Sequence, residues 1–150
     1  MKKGKIHFFS EDVSFSPTGK KLLRNWIKKI TGKEKKKLLS VNFIFCSDRR
    51  LAYINRQFLN HDTLTDIITF DNNENAASNL ITADIFISID RVKENASLFK
   101  NKTEEELRRV MIHGILHLCG YKDKTPHDKK QMKAKEDYCL SLFAPKKNKR

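Results

Sequence analysis

A chain of 150 residues with a formal net charge of +13 is the size of one domain, and it can bury a core without covalent help. Its three cysteines, Cys46, Cys119 and Cys139, are far apart and form no Cys-x-x-Cys pair, which excludes a disulfide framework and fits a reduced, cytoplasmic setting. No apolar run nears the ~18 residues of a membrane span, no apolar stretch follows the basic start to make a signal peptide, and the positive excess calls for a polyanionic partner, nucleic acid before membrane.

In chain order, Ile6 to Phe9 reads as a first strand that could extend to Phe15. A helix is expected from Ser16-Pro17 or Thr18, with Leu22, Leu23, Trp26, Ile27 and Ile30 at helical spacing and Gly32 as its stop. Leu39 to Cys46 alternates as a second strand, burying Val41, Phe43 and Phe45. Ser47 is a good cap for a helix carrying Leu51, Ile54 and Phe58, with Phe58 expected in the core. A polar loop from Asn60 to Asp66 leads into a short strand, Ile67 to Phe70. The Asn-rich stretch Asp71 to Asn79 then reads as the loop of a hairpin closed by Leu80 to Ile89.

The rest reads as helical. Asp90 to Phe99 is one helix. Thr103 and Glu106 make a capping box for the next, which runs to about Leu118 and is apolar on nearly every side. A last helix starts at Pro126 or His127, with Met132, Cys139, Leu140 and Phe143 as apolar positions. The order β-α-β-α-β-β-α-α-α predicts an α+β fold, a small mixed four-stranded sheet with helices packed on it. Residues 1–144 are expected to form one domain, and 145–150 a basic disordered tail.

The chemistry concentrates in His113-Gly114-Ile115-Leu116-His117-Leu118-Cys119-Gly120-Tyr121-Lys122-Asp123. Two histidines four apart share one helix face, within reach of a single metal ion. Gly120 can end the helix in the left-handed conformation, and Asp123 can then fold back as a third ligand. Three protein ligands leave a position open, as in catalytic zinc sites. His127 is the rival for the third place. The spacing matches the metalloprotease frame H-E-x-x-H-x-x-G-x-x-H, but Gly114 stands where that chemistry needs a glutamate, so peptide hydrolysis is disfavoured. A glycine there also predicts a close neighbour, either a substrate or a backbone.

This block resembles the signature of the bacterial YbeY family of rRNA-maturation endoribonucleases. Leu64-Thr65-Asp66-Ile67-Ile68-Thr69-Phe70 and Ile81-Thr82-Ala83-Asp84-Ile85-Phe86-Ile87-Ser88 resemble two further family blocks, and Asn55 and Phe58 match the helix before them. The resemblance implies a zinc-dependent, single-strand-specific endoribonuclease with one Zn2+ per chain. It implies a role in 16S rRNA 3′-end maturation and ribosome quality control, with rRNA and the ribosome or its small subunit as partners, and no small-molecule cofactor.

Two positions depart from the family. Its third ligand is usually His, where this chain has Asp123, and an Arg associated with activity falls on Leu59. Arg56, or a lysine from elsewhere, could stand in as the RNA contact. No glutamate adjoins His113, so a base must come from another segment. Asp66 and Asp84 are the candidates, the alternative for Asp84 being to orient a histidine. Tyr121 and Phe58 are the aromatics nearest the motif. A non-catalytic RNA-binding assembly factor with a structural metal is the competing reading.

Overall fold

The computed structural model describes residues 4–59, 65–73 and 78–143. The middle of each loop expected at 60–66 and 71–79, and the tail expected at 145–150, lie outside the described residues. The strands are β1 (Lys5–Ser10), β2 (Lys37–Cys46), β3 (Ile67–Asp71) and β4 (Leu80–Ser88). The helices are α1 (Lys20–Lys33), α2 (Asp48–Leu59), α3 (Ile89–Leu98), α4 (Thr103–Leu118) and α5 (Pro126–Ser141).

The four strands form one mixed sheet in the order β1-β2-β4-β3. β1 and β4 pair with β2 in parallel, while β3 and β4 pair antiparallel, as the hairpin reading expected. Alternation sends Val41, Phe43 and Phe45 of β2 to one face with Ile81, Ile85 and Ile87. There they meet Trp26, Ile27 and Ile30 of α1 and Met111, Ile112, Ile115 and Leu116 of α4. α4 is buried on most of its surface and lies at the centre of this larger core. Cys46 belongs to a smaller core on the opposite face, where Leu51 and Ile54 of α2 pack with Ile68. The strand expected to bury one face therefore buries both at its C-terminal end.

Some boundaries differ from expectation. β1 stops at Ser10, whose hydroxyl donates to the Phe15 carbonyl and folds the chain back. Phe15 then meets Phe45 edge-on at 5.1 Å between ring centroids. That path keeps the chain out of helix until Gly19, left-handed at φ 66°, so α1 opens later than Pro17 indicated. Gly32 does not end α1. The left-handed residue is Lys35 (φ 60°), whose neighbour Lys36 closes the turn on the Thr31 carbonyl at 2.9 Å. The cap of α4 is one residue early: Glu105, rather than Glu106, accepts from the Lys102 amide at 3.0 Å. Glu106 is instead buried.

Candidate metal centre

The core face of α4 positions the site. Gly114 lies against the sheet: a Cβ there would come within 2.9 Å of Ile67 Cδ1 and 3.2 Å of Thr69 Oγ1. The close neighbours are thus side chains of β3, with Ile85 of β4 behind them at 3.4 Å, rather than a backbone. With Gly114 pressed on β3, His113 and His117 flank the contact, their rings 4.7 Å apart and nearly perpendicular at 85°.

The helix then ends as its glycine predicts. Gly120 takes φ 108°, its amide bonds the His117 carbonyl at 3.0 Å, and the Tyr121 amide bonds the Leu116 carbonyl at 3.1 Å. This turn has a chemical by-product. The Tyr121 carbonyl faces His117 Nδ1 at 3.0 Å, so an Nδ1–H donates to it and Nε2 is left with its lone pair. On the other histidine, Glu136 Oε2 accepts from His113 Nδ1 at 2.6 Å, with the same result.

The chain folds back to bring Asp123 Oδ2 to 3.3 Å from His113 Nε2 and 3.4 Å from His117 Nε2. One ligand atom from each of these three residues lies within 4.8 Å of the others, the only such trio among the described residues. Two neutral imidazole nitrogens and a carboxylate oxygen are a donor set that fits Zn2+, and both histidine tautomers are already fixed for it. His127 is exposed on the first turn of α5 and lies outside the trio.

Burial pulls the His113 imidazole down, but the Glu136 hydrogen bond and charge, with Asp123 and Asp66 behind it, outweigh that and raise its pKa. Glu136 is itself buried and shared: Arg109 Nη1 donates to its other oxygen at 2.8 Å, while Nη2 reaches Asp137 at 2.6 Å. Glu136 and Arg109 were not anticipated from the sequence. The signal was present for Glu136, which falls in helical register with the buried Met132 and Cys139, a core position where an acid needs a reason. Tyr121 is anchored too, its hydroxyl donating to Glu34 at 3.1 Å, and Lys135 Nζ pairs with Glu34 at 3.1 Å.

Asp66 joins the trio in a cleft of about 930 Å3, lined also by Asn55, Leu59 and Lys124. Burial raises its carboxyl pKa. Asp84 is not brought to the histidines. It lies along the sheet between Asn42 and Asn72, whose amides donate to it at 2.9 and 3.0 Å, so it does not orient an imidazole. Arg56 is exposed on α2 and is not part of the cleft wall. Phe58 is 68% exposed, not core, and meets Phe70 edge-on. A second cleft, of about 560 Å3, shares His113 and Asp123 and runs between α4 and α5, with Phe99, Arg109, Lys129 and Lys133 in its wall.

Comparison with known proteins covers nearly the whole chain. The family model described as Endoribonuclease YbeY matches residues 5–144. The protein called Endoribonuclease YbeY in Cytophaga hutchinsonii is 52% identical over 142 residues, covering 95% of this chain and 98% of that one. Its namesake in Christiangramia forsetii is 48% identical over 143 residues, covering 95% and 97%. Among solved structures, the solution structure of TM1509 from Thermotoga maritima superposes with a TM-score of 0.62 at 31% identity, covering 91% of this chain and 87% of that one.

Proposed function

Because the chain belongs to the Endoribonuclease YbeY family, we propose that it is a zinc-dependent, single-strand-specific endoribonuclease acting on rRNA, in 16S 3′-end maturation and ribosome quality control. The observation that carries the reading is the trio His113, His117 and Asp123, preset by Glu136 and the Tyr121 carbonyl and opening on a cleft that also holds Asp66. The net charge of +13 supports an RNA substrate, and no described helix is long and apolar enough to cross a membrane. The ribosome or its small subunit, in the cytoplasm, is the setting this reading implies.

The three residues would hold one Zn2+, which supplies a Lewis acid for a phosphoryl oxygen and a nucleophile at neutral pH. The chain does the rest. Glu136 and the Tyr121 carbonyl keep both Nε2 lone pairs aimed inward, and the charge of Asp123 offsets that of the cation. Asp66, with a carboxyl pKa raised by burial, is better placed than an ordinary aspartate to take a proton from the attacking hydroxyl near neutral pH. Asp84 and Arg56 have no role in this scheme. A purely structural metal is disfavoured, because such sites are closed by four protein ligands, whereas here the side chains of the trio are 22–39% exposed.

The test is cleavage of a single-stranded rRNA fragment by the zinc-loaded chain. His113→Ala and His117→Ala are expected to abolish it. A fragment left intact by wild type, or cut equally by these variants, removes the nuclease reading. Zinc titration separates the two candidate third ligands. Asp123→Ala is expected to weaken binding far more than His127→Ala, and the reverse order would move the ligand to α5.

A further inference from the structure

Two clefts meet at the trio, and they differ in what a polyanion would find there. Among the described residues, the cleft beside β3 has one cation in its wall, Lys124, against Asp66, Asp71 and Asp123, and Leu59 adds an apolar side chain to it. The neighbouring stretch 60–64 contains no lysine or arginine that could add charge. The cleft between α4 and α5 has three cations, Arg109, Lys129 and Lys133. Its acids are three: Asp123, which it shares with the other cleft, Glu136, held by Arg109 and His113, and Glu106, which is buried; Arg109 is itself held by Glu136 and Asp137, so the exposed cations are the two lysines. Lys129 and Lys133 are exposed one turn apart on α5, and Lys133 reaches an acid only at 3.8 Å, on Asp137.

The same wall carries an aromatic. Phe99 is 63% exposed, which the core does not explain. It caps α3 at a closed turn: Lys100 is left-handed at φ 58°, and the Asn101 amide bonds the Ala96 carbonyl at 2.8 Å. The ring is therefore presented by a fixed backbone. An exposed ring in the same cleft wall as exposed lysines is the combination that holds single strands, since every base has a face to stack and every nucleotide a phosphate.

We propose that the cleft between α4 and α5 is the subsite holding the single-stranded RNA next to the bond to be cut, with Phe99 stacking a base and Lys129 and Lys133 holding adjacent phosphates. This rests on the endoribonuclease reading and assigns its substrate contact to α5 and the α3–α4 turn, since the cleft beside β3 is dominated by acids. Since His113 and Asp123 line this cleft too, a strand lying in it passes directly over the trio.

The experiment measures binding of a fluorescein-labelled, 2′-O-methyl phosphorothioate single strand to the zinc-loaded full chain by anisotropy across a salt series. Phe99→Ala is expected to weaken binding about tenfold, the loss of one stacked base. The double variant Lys129→Gln/Lys133→Gln is expected to lower the slope of log K against log salt by about 1.4, two phosphates at about 0.7 each. All these side chains are exposed, so zinc stoichiometry and Tm serve as folding controls and are expected to stay at wild-type values. If wild type binds but both variants stay within twofold of it with an unchanged slope, the subsite is refuted and the endoribonuclease reading survives. A slope lost in Arg56→Gln and kept in the lysine variant would also refute it. If zinc-loaded wild type binds no single strand at all, the endoribonuclease reading fails first and takes the subsite with it.

Discussion

Replacing Glu136 by Gln changes one oxygen to an amide and leaves the shape of α5 alone. In the native protein this carboxylate accepts from two donors, His113 Nδ1 at 2.6 Å and Arg109 Nη1 at 2.8 Å. A glutamine has one acceptor oxygen and one NH2 group, so it can serve only one of them and turns a donor toward the other. Arg109 keeps Asp137, so His113 is the partner left uncertain in ring orientation and tautomer. Partners of this kind cost about 10–100-fold in metal affinity when removed, which is ~1.4–2.7 kcal/mol. The loss of a charge-assisted hydrogen bond adds a destabilisation of about 1.5–3 kcal/mol to the metal-free protein, or roughly 3–12 °C in Tm for a chain of this size. Competition for Zn2+ against a chromophoric chelator measures the first effect and thermal unfolding in EDTA the second. Zinc affinity within twofold of wild type would show that Glu136 only anchors α5, and the account of how His113 is preset would be wrong.

Other consequences are open to direct measurement. Burial raises the Glu106 pKa, so the folded chain holds that proton to higher pH than the unfolded one, and the associated stability is lost as pH rises through the folded value. Glu106→Gln is therefore expected to flatten Tm against pH from 4.5 to 8 and to raise Tm by a few degrees at pH 8; an unchanged profile would refute it. Burial pushes the thiols of Cys46 and Cys119 up to about 12 and that of Cys139 to about 11. Native protein at pH 8 should thus resist iodoacetamide until denatured, as mass spectrometry would show. Gly114→Ala sets a helix gain of about 1 kcal/mol against a methyl 2.9 Å from Ile67 Cδ1. Because that atom ends a flexible side chain, urea unfolding is expected within ~1 kcal/mol of wild type, whereas Gly114→Leu should lose about 1–3 kcal/mol or more by overpacking.

The fold was legible wherever one local rule decided it. Alternation in β2, helical spacing in α1 and α4, and the left-handed requirement at Gly120 each correspond to a feature found in the structure. Illegible features were those decided by distant partners. The start of α1 depends on where Phe15 must go to meet Phe45, thirty residues on, and no propensity near Pro17 contains that. Lys35 takes the left-handed turn although Gly32 was available, because Gly32 is still inside α1, which ends at Lys33 with Glu34 as its cap. At the site, the two histidines and Asp123 are close in sequence and their grouping was foreseen. Glu136 lies 23 residues from His113 on another helix, and only its helical register with Met132 and Cys139 hinted at it. Phe58 was misplaced because the buried face of α2 is made by Leu51, Ile54 and Asn55, so Phe58 in its last turn lies at the edge of the smaller core, against Phe70.

The chain's one tryptophan sits where it can watch the metal centre assemble. Trp26, 4% exposed on α1, donates its indole N–H to the Cys139 carbonyl at 2.8 Å and meets Phe143 edge-on at 5.4 Å. Cys139 is one turn beyond Glu136 on α5, so the helix that clamps His113 is the same helix that covers the indole. Releasing α5 would wet the ring and free the imidazole in one event. The emission maximum of Trp26 is then an intrinsic gauge of whether α5 has closed over α1, and hence of whether His113 is held in the orientation that the candidate metal site requires.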